Sequence, residues 1–399
     1  MAEQRYGSSK TGKQVLHKNV SQFEIVILNN HNKTYYPGQY LEGHVIVKVE
    51  QQFITRGILL QFCGRAEIFW SEKQRGAEDK CIGIMDYNAK EEFFNIRHFV
   101  FEPGLIPADV HKFPFKFHLT PPLPDNYRDN ICEIEYFLET RLKIDTDINN
   151  DLVHRQDILI VDPIDLNKLI VPDVTLPVHS QKMMKLGILC CKSEPVIAFL
   201  RLIRSGYSPG EVIHVQADVE NNSGSSVRNV TFTLYEERAY ITEHKTYTHR
   251  DVVVQVNKGS VRSKATEEWS DIPLSIPKHQ VFNVSPCTIF DIRHTLEMEM
   301  KAGLFNKRLV IPLRIVIGSI SLDSVSKETL PMKRLHLKPT EDQLKERRDA
   351  VRAARQSKTI DVTVVNARHI IVRRQRRKDR NMKIYPDDVI DTADYRGHN

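Results

Sequence analysis

From Tyr40 to Glu50 the chain alternates. Leu41, Gly43, Val45, Val47 and Val49 fall on one side, and Glu42, His44, Ile46, Lys48 and Glu50 fall on the other. A period of two sends successive side chains to opposite faces of an extended backbone, so the run predicts a half-buried strand. The preceding stretch "YYPGQ" supplies a turn, because Pro37 presets φ and Gly38 tolerates the positive φ of a type II turn. The same Tyr-x-Pro-Gly turn opens a second alternating run, "YSPGEVIHV" (207–215).

The recurrence is extensive. Pro37 and Pro209 are 172 positions apart (209 − 37). At that offset Ile25 and Ile27 fall on Ile197 and Phe199, and Leu41, Val45 and Val47 fall on Ile213, Ala217 and Val219. Arg56, Ile58, Leu60 and Phe62 fall on Arg228, Val230, Phe232 and Leu234, and the match is read as ungapped in both directions. Further on the offset shortens: Ile134, Leu138, Glu139 and Lys143 fall on Ile292, Leu296, Glu297 and Lys301 at 158 (292 − 134). "FPFKFHL" (113–119) parallels "DIPLSIP" (271–277). The chain therefore predicts two copies of a unit of roughly 150 residues, each a series of short strands punctuated by Gly, Pro, Asn and Asp. That pattern specifies an all-β chain of two tandem sandwiches. Two copies are too few for a solenoid, and no Cys…Trp…Cys spacing marks ordinary immunoglobulin domains. The expected division is a flexible N-terminus at 1–20, a first sandwich at 21–165, a connector at 166–187, a second sandwich at 188–322 and a tail at 323–399. Trp70 is read as a packing residue.

The chain has 399 residues, of which 41% are hydrophobic and 27% charged, an ordinary globular balance. No stretch approaches the roughly 18 apolar residues of a membrane span. The polar start "MAEQRYGSSKTGKQVLHKN" lacks the apolar segment of a secretory signal, which leads to an expectation of a cytosolic or nuclear protein. The six cysteines have no framework spacing and are read as free thiols; adjacent Cys190 and Cys191 lack a second pair to complete a zinc site. The net charge of +6 is uneven. Residues 333–399 hold 18 Lys+Arg and 10 Asp+Glu, or +8, which leaves 6 − 8 = −2 for residues 1–332.

No catalytic constellation stands out. Gly-x-Ser-x-Gly, His-Glu-x-x-His, Walker and Gly-x-Gly-x-x-Gly patterns are all missing. The sixteen histidines are scattered, and His98, His111 and His118 beside aromatic strands read as surface or edge residues. The adjacent pairs Glu91-Glu92 and Asp387-Asp388 point to opposite faces of a strand and make no acid/base couple. The chain is read as a non-enzyme, with no catalytic residue, no metal ligand and no cofactor.

The order of "PGQYLEGHVIVKV", "RGILLQFCGRAEIFW", "IPADVHKFPFKFHL" and "CEIEYFLETRLKID", followed by "GYSPGEVIHVQADVENNSGSSVRNVTFTLYEERAYI" and "LVIPLRIVIGSISL", resembles the arrestin family. It is most similar to α-arrestins, the arrestin-domain-containing proteins, over residues 22–322. The resemblance implies two immunoglobulin-like arrestin sandwiches and a cytoplasmic adaptor, peripheral at the plasma membrane or endosomes. Such an adaptor binds cytoplasmic segments of membrane proteins and promotes their endocytosis, transport or ubiquitin-dependent sorting. An arrestin-like subunit of a retromer-type coat is the alternative, and a basic-tailed nuclear scaffold is a third. Many α-arrestins recruit ubiquitin ligases through Pro-Pro-x-Tyr. Here Pro121-Pro122 is followed by Leu123-Pro124, so recruitment would be indirect, and the prolines read as a rigid turn.

The tail has its own pattern. Residues 340–356 predict a helix, with Thr340 and Gln343 as a capping box. In "KTIDVTVVN", Ile360, Val362 and Val364 alternate, so this segment needs a strand partner, which the β-arrestin likeness places on the first sandwich. Arg368, Arg373, Arg374, Arg376, Arg377, Lys378, Arg380 and Lys383 then form a basic run, a candidate contact for an acidic surface such as an anionic membrane. The run has no interleaved aromatics, so nucleic acid is not an expected partner.

Overall fold

The computed structural model of the chain describes residues 18–28, 34–75, 81–144, 151–169, 173–186, 194–303, 307–323 and 365–366. These residues form strands and loops and no helix. The first half contains β1 (Val20–Ile27), β2 (Thr34–Tyr35), β3 (Tyr40–Val49), β4 (Phe53–Thr55), β5 (Ile58–Arg75), β6 (Cys81–Phe101), β7 (Gly104–Ile106), β8 (Val110–His118), β9 (Tyr127–Arg128), β10 (Cys132–Leu142) and β11 (Leu152–Ile160). The second contains β12 (Val178–Met184), β13 (Val196–Leu202), β14 (Gly206–Tyr207), β15 (Val212–Asn221), β16 (Val227–Ile241), β17 (Thr246–Val261), β18 (Ala265–Ser275), β19 (Phe290–Ala302) and β20 (Lys307–Ile317), with β21 (Val365–Asn366) added from the tail.

In the first sandwich a β1-β3-β8 sheet faces a β2-β11-β10-β5-β6 sheet, with β9 alongside β10. In the second, β18-β15-β13-β12-β21 faces β14-β20-β19-β16-β17. The alternation in the sequence is the burial pattern: Leu41, Val45 and Val47 on β3 are fully buried, as are Ile213, Val215 and Val219 on β15. Burying such side chains contributes about 1.5–3 kcal/mol each, and each sandwich encloses its own apolar core. Trp70 packs, as expected, stacked on Tyr87 at 5.0 Å between centroids.

The duplication is visible in register. Phe62 pairs with Leu138 across β5 and β10, and Leu234 with Leu296 across β16 and β19, preserving both offsets. Before β2 the ungapped match fails. Ile25 pairs with Val45, but the residue opposite Ala217 is Leu200, not Ile197, which makes the true offset 175 (200 − 25). The connection from Ile27 to Thr34 is longer than that from Leu202 to Gly206. An alternating apolar pattern matches itself at several slips, and an odd slip exchanges buried and exposed faces: Ile25 is buried whereas Ile197 is only half-buried.

The expected connector also contains structure. Val178–Met184 forms β12 and pairs with β13 along its whole length. Its mixed composition, His179-Ser180-Gln181-Lys182 between Val178 and two methionines, with only Ser180 and Met184 buried, conceals a strand near the edge of the sheet. Beyond β12 lies β21, where Asn366 pairs with Val178 and Val365 with His179. These two tail residues thus lie on the second sandwich rather than the first, while Ile360, Val362 and Val364 lie outside the described residues. The helix expected at 340–356, Cys190-Cys191 and the basic run 368–383 lie outside the described residues.

Candidate functional site

The two sandwiches meet along a seam built from equivalent parts of the repeat. The loops between β8 and β10 and between β18 and β19 lie against each other, joined by the near ends of β5, β6, β16 and β17. Tyr240, Val284, Cys287 and Phe290 of the second unit are buried in the same apolar cluster as the first core. Tyr127 on β9 lies 4.6 Å from Phe290 and edge-on to Phe282 at 5.2 Å. Trp70 reaches across to Tyr247, 6.0 Å away.

Polar bonds fix the seam at two points. Asp125 Oδ1 accepts the backbone N–H of Asp162 at 2.5 Å, and its Oδ2 accepts the N–H of Asn283 from the other sandwich at 2.9 Å. The Asp125 N–H donates to the Asn283 carbonyl at 2.8 Å, and Asn283 Nδ2 donates to Asp162 Oδ2 at 2.9 Å. Burial pushes the Asp125 carboxyl up to about 6, against the pull of the two backbone donors.

The second point is Asp129. Its Oδ1 accepts the N–H groups of Ile131 and Cys132 at 2.8 and 2.7 Å. Its Oδ2 accepts the hydroxyls of Tyr127 at 2.9 Å and Tyr240 at 2.5 Å. Burial and the adjacent carboxylate raise both phenols above their ordinary range. Arg238 on β16 approaches Asp129 at 3.8 Å and also pairs with Asp251 and, at 3.3 Å, with Glu236. Burial opposes its charge, but the phenols and carboxylates around it raise its basicity further. Toward the rim, Lys245 donates to Glu72 at 2.6 Å, and Glu91 accepts the N–H and hydroxyl of Thr288 at 2.7 and 3.0 Å.

Of these residues the sequence points only to Trp70, as a packing residue, and to Glu91, as one of an adjacent acid pair, and to neither as part of a joint. Asp129, Arg238 and Tyr240 are far apart in the chain and become neighbours only when the units dock. One signal is readable: at offset 172, Arg238 and Tyr240 stand where the first copy has Ala66 and Ile68. For metal ligation, the described residues bring together one group, Glu236, His279 and His294, whose ligand atoms lie within 4.8 Å of one another. Pro121 and Pro122 are exposed, whereas Leu123, Pro124 and Asp125 are buried, and the Tyr136 hydroxyl donates to the Pro124 carbonyl at 2.8 Å. That holds the segment as a turn. No helix among the described residues is long and apolar enough to cross a membrane.

Comparison with known proteins agrees with this architecture. The N-terminal arrestin domain model matches residues 24–167 and the C-terminal arrestin domain model matches residues 192–322. Arrestin domain-containing protein 17 of Caenorhabditis elegans is 26% identical over 313 residues, covering 75% of this chain and 71% of the relative. Arrestin domain-containing protein 4 of Mus musculus is 27% identical over 295 residues, covering 72% and 69%. Thioredoxin-interacting protein of Mus musculus is 22% identical over 316 residues, covering 77% and 76%. Two matched domains in tandem, joined by the seam described above, establish that the chain belongs to the arrestin family, in its arrestin-domain-containing, α-arrestin branch.

Proposed function

We propose that this arrestin-family chain is a non-catalytic adaptor that binds cytoplasmic segments of membrane-protein cargo and directs them to endocytosis, intracellular transport or ubiquitin-dependent sorting. The observation that carries the reading is the tandem arrestin architecture with its seam: two sandwiches held in register by Asp125, Asp129 and Tyr240 present open strand edges as one platform. Edge strands such as β1 and β18 carry N–H and C=O groups that an extended cargo segment satisfies by strand addition. The basic run from Arg368 to Lys383 supplies a second, electrostatic contact to the anionic surface where such cargo lies, at up to about 1 kcal/mol per basic residue. Working at the plasma membrane or endosomes follows from that contact. A ubiquitin ligase enters through a partner, since the buried, non-tyrosine sequence after Pro122 offers no Pro-Pro-x-Tyr ligand.

The test is direct. The purified full chain is titrated with a panel of cytoplasmic tails of membrane proteins, in solution and on acidic vesicles, and separately with WW domains. The reading expects saturable binding to a subset of tails and none to isolated WW domains. Failure to bind any tail, together with unchanged surface levels of membrane proteins in cells lacking the chain, would overturn it.

A further inference from the structure

Beside the seam, chiefly within the second sandwich, lies a cavity of about 340 Å³. Glu236 on β16 and His294 on β19 are directly opposite each other in register, so both side chains leave the sheet on the same face. His279 reaches them from the segment after β18, and the three ligand atoms lie within 4.8 Å of one another. The equivalent positions of the first sandwich are Gly64 and Tyr136, also register partners, and there the tyrosine ring simply covers the glycine. The sandwich fold therefore has no need of an acid and two imidazoles at this place.

Their arrangement is that of a ligand set. His294 is 8% exposed, and its Nε2 is buried without a hydrogen-bond partner. A buried polar nitrogen left unpaired is costly and calls for an explanation. It faces Glu236 Oε2 at 3.5 Å. Two donors bound tetrahedrally at 2.0–2.1 Å from one zinc ion stand about 3.4 Å apart, so the pair is already spaced for a shared ion. His279 Nδ1 lies 2.8 Å from the Pro277 carbonyl. Donation there puts the proton on Nδ1 and leaves Nε2 with its lone pair, the outer-shell arrangement usual for metal-binding histidines. Glu236 Oε1 is turned to Arg238, leaving Oε2 for the ion. Of the arginines nearby, Arg238 is committed to Asp251, Asp129 and Glu236, and Arg293 to Asp291.

We propose that Glu236, His279 and His294 form a three-ligand site for a divalent transition ion, zinc by preference, with the fourth position open to the cavity. Two imidazoles and one carboxylate suit zinc better than the oxygen-seeking magnesium or calcium. The ion would tie the segment after β18 to β16 and β19. That segment carries Asn283, which bonds to Asp125 across the seam, so occupancy would stiffen the second sandwich's half of the joint.

The experiment uses the full chain after chelation and dialysis. Cobalt(II) serves as the spectroscopic probe, and zinc affinity is measured by competition with a chromophoric chelator. The expected result is uptake of one equivalent at micromolar or tighter affinity, with visible d–d bands and no thiolate charge-transfer band. His279→Ala, on a half-exposed segment, should weaken binding at least tenfold while leaving the metal-free thermal midpoint unchanged. Glu236→Gln should weaken it as well, and zinc should raise the midpoint of the wild type but not of His279→Ala. Equal uptake by wild type and both variants would overturn the proposal. So would a thiolate band, which places the ion on cysteines. A midpoint raised by inorganic phosphate and lost on substituting Arg314, which also lines the cavity, by alanine (Arg314→Ala), without a metal response, would show the cavity to be an anion site instead and equally overturn it.

Discussion

Asp129 accepts the Tyr240 hydroxyl at 2.5 Å, and that bond joins the first sandwich to the second. Tyr240 is 2% exposed, so an unsatisfied carboxylate at this depth would be costly. Tyr240→Phe should cost about 1.5 kcal/mol, the low end for a hydrogen bond to a charged group, because Tyr127 and two backbone donors still serve Asp129. Asp129→Ala should cost more, since it strands all of these donors together with Arg238. Urea unfolding of the two variants checks the order. A neutral Tyr240→Phe, within 0.5 kcal/mol or so of wild type, would show that the apolar contacts alone hold the seam.

Asp125 makes the same joint sensitive to pH. Its folded-state value of about 6 lies above the roughly 3.9 of an unfolded aspartate, so the folded chain binds the proton more tightly. The resulting stabilisation is complete below the unfolded value and is lost as pH rises through about 6. Wild type should therefore gain on Asp125→Ala by about 1 kcal/mol as pH falls from 7.5 to 5. Unfolding free energies of the pair across that range provide the check, and a gap independent of pH would refute the assignment.

Gly64 tests the packing of the first core. A Cβ built there would stand 2.6 Å from the Tyr136 ring and 2.8 Å from Phe94, and Tyr136 is fully buried with its hydroxyl tied to Pro124. Neither ring can withdraw cheaply, so Gly64→Ala should destabilise by about 1–3 kcal/mol. Gly224→Ala, where nothing lies within 4 Å, should stay within about 0.5 kcal/mol. Parallel denaturant titrations of the two variants separate them.

The sandwiches were legible because Leu41, Val45 and Val47 and their counterparts combine strand alternation with a turn whose Pro-Gly chemistry is specific. Where that second signal is missing, the reading slips: alternation alone sets Ile25 against Ile197, and β12, with four polar residues among seven and no clean alternation, reads as connector. The seam was not legible, because Asp125, Asp129, Arg238 and Asn283 acquire meaning only through distances across more than a hundred residues of chain. The Glu236, His279 and His294 group has no local spacing that a motif search could catch. Its trace is a departure from the repeat, with polar residues where the first copy has Gly64 and Tyr136.

The tail offers the last test, because two physical effects give opposite signs. β21 occupies the edge of β12, and an extended cargo segment seeking an edge of the second sandwich would have to displace it. A two-residue pairing is worth about 1 kcal/mol net, so its removal should raise capture about fivefold. Deleting 357–399 also removes the basic run 368–383, and electrostatics alone would then weaken binding to acidic vesicles. A ligand shifts such an equilibrium only by its preference for the tail-free state, so a cargo that docks elsewhere should show the electrostatic loss alone. Co-sedimentation of full-length and truncated chains with acidic vesicles bearing a cargo tail, at low and high salt, resolves the two. Increased capture after truncation, persisting in high salt, is the expected result. If truncation lowers capture, and high salt brings the full chain down to the same level, the tail acts as an anchor and the competition for β12 does not operate.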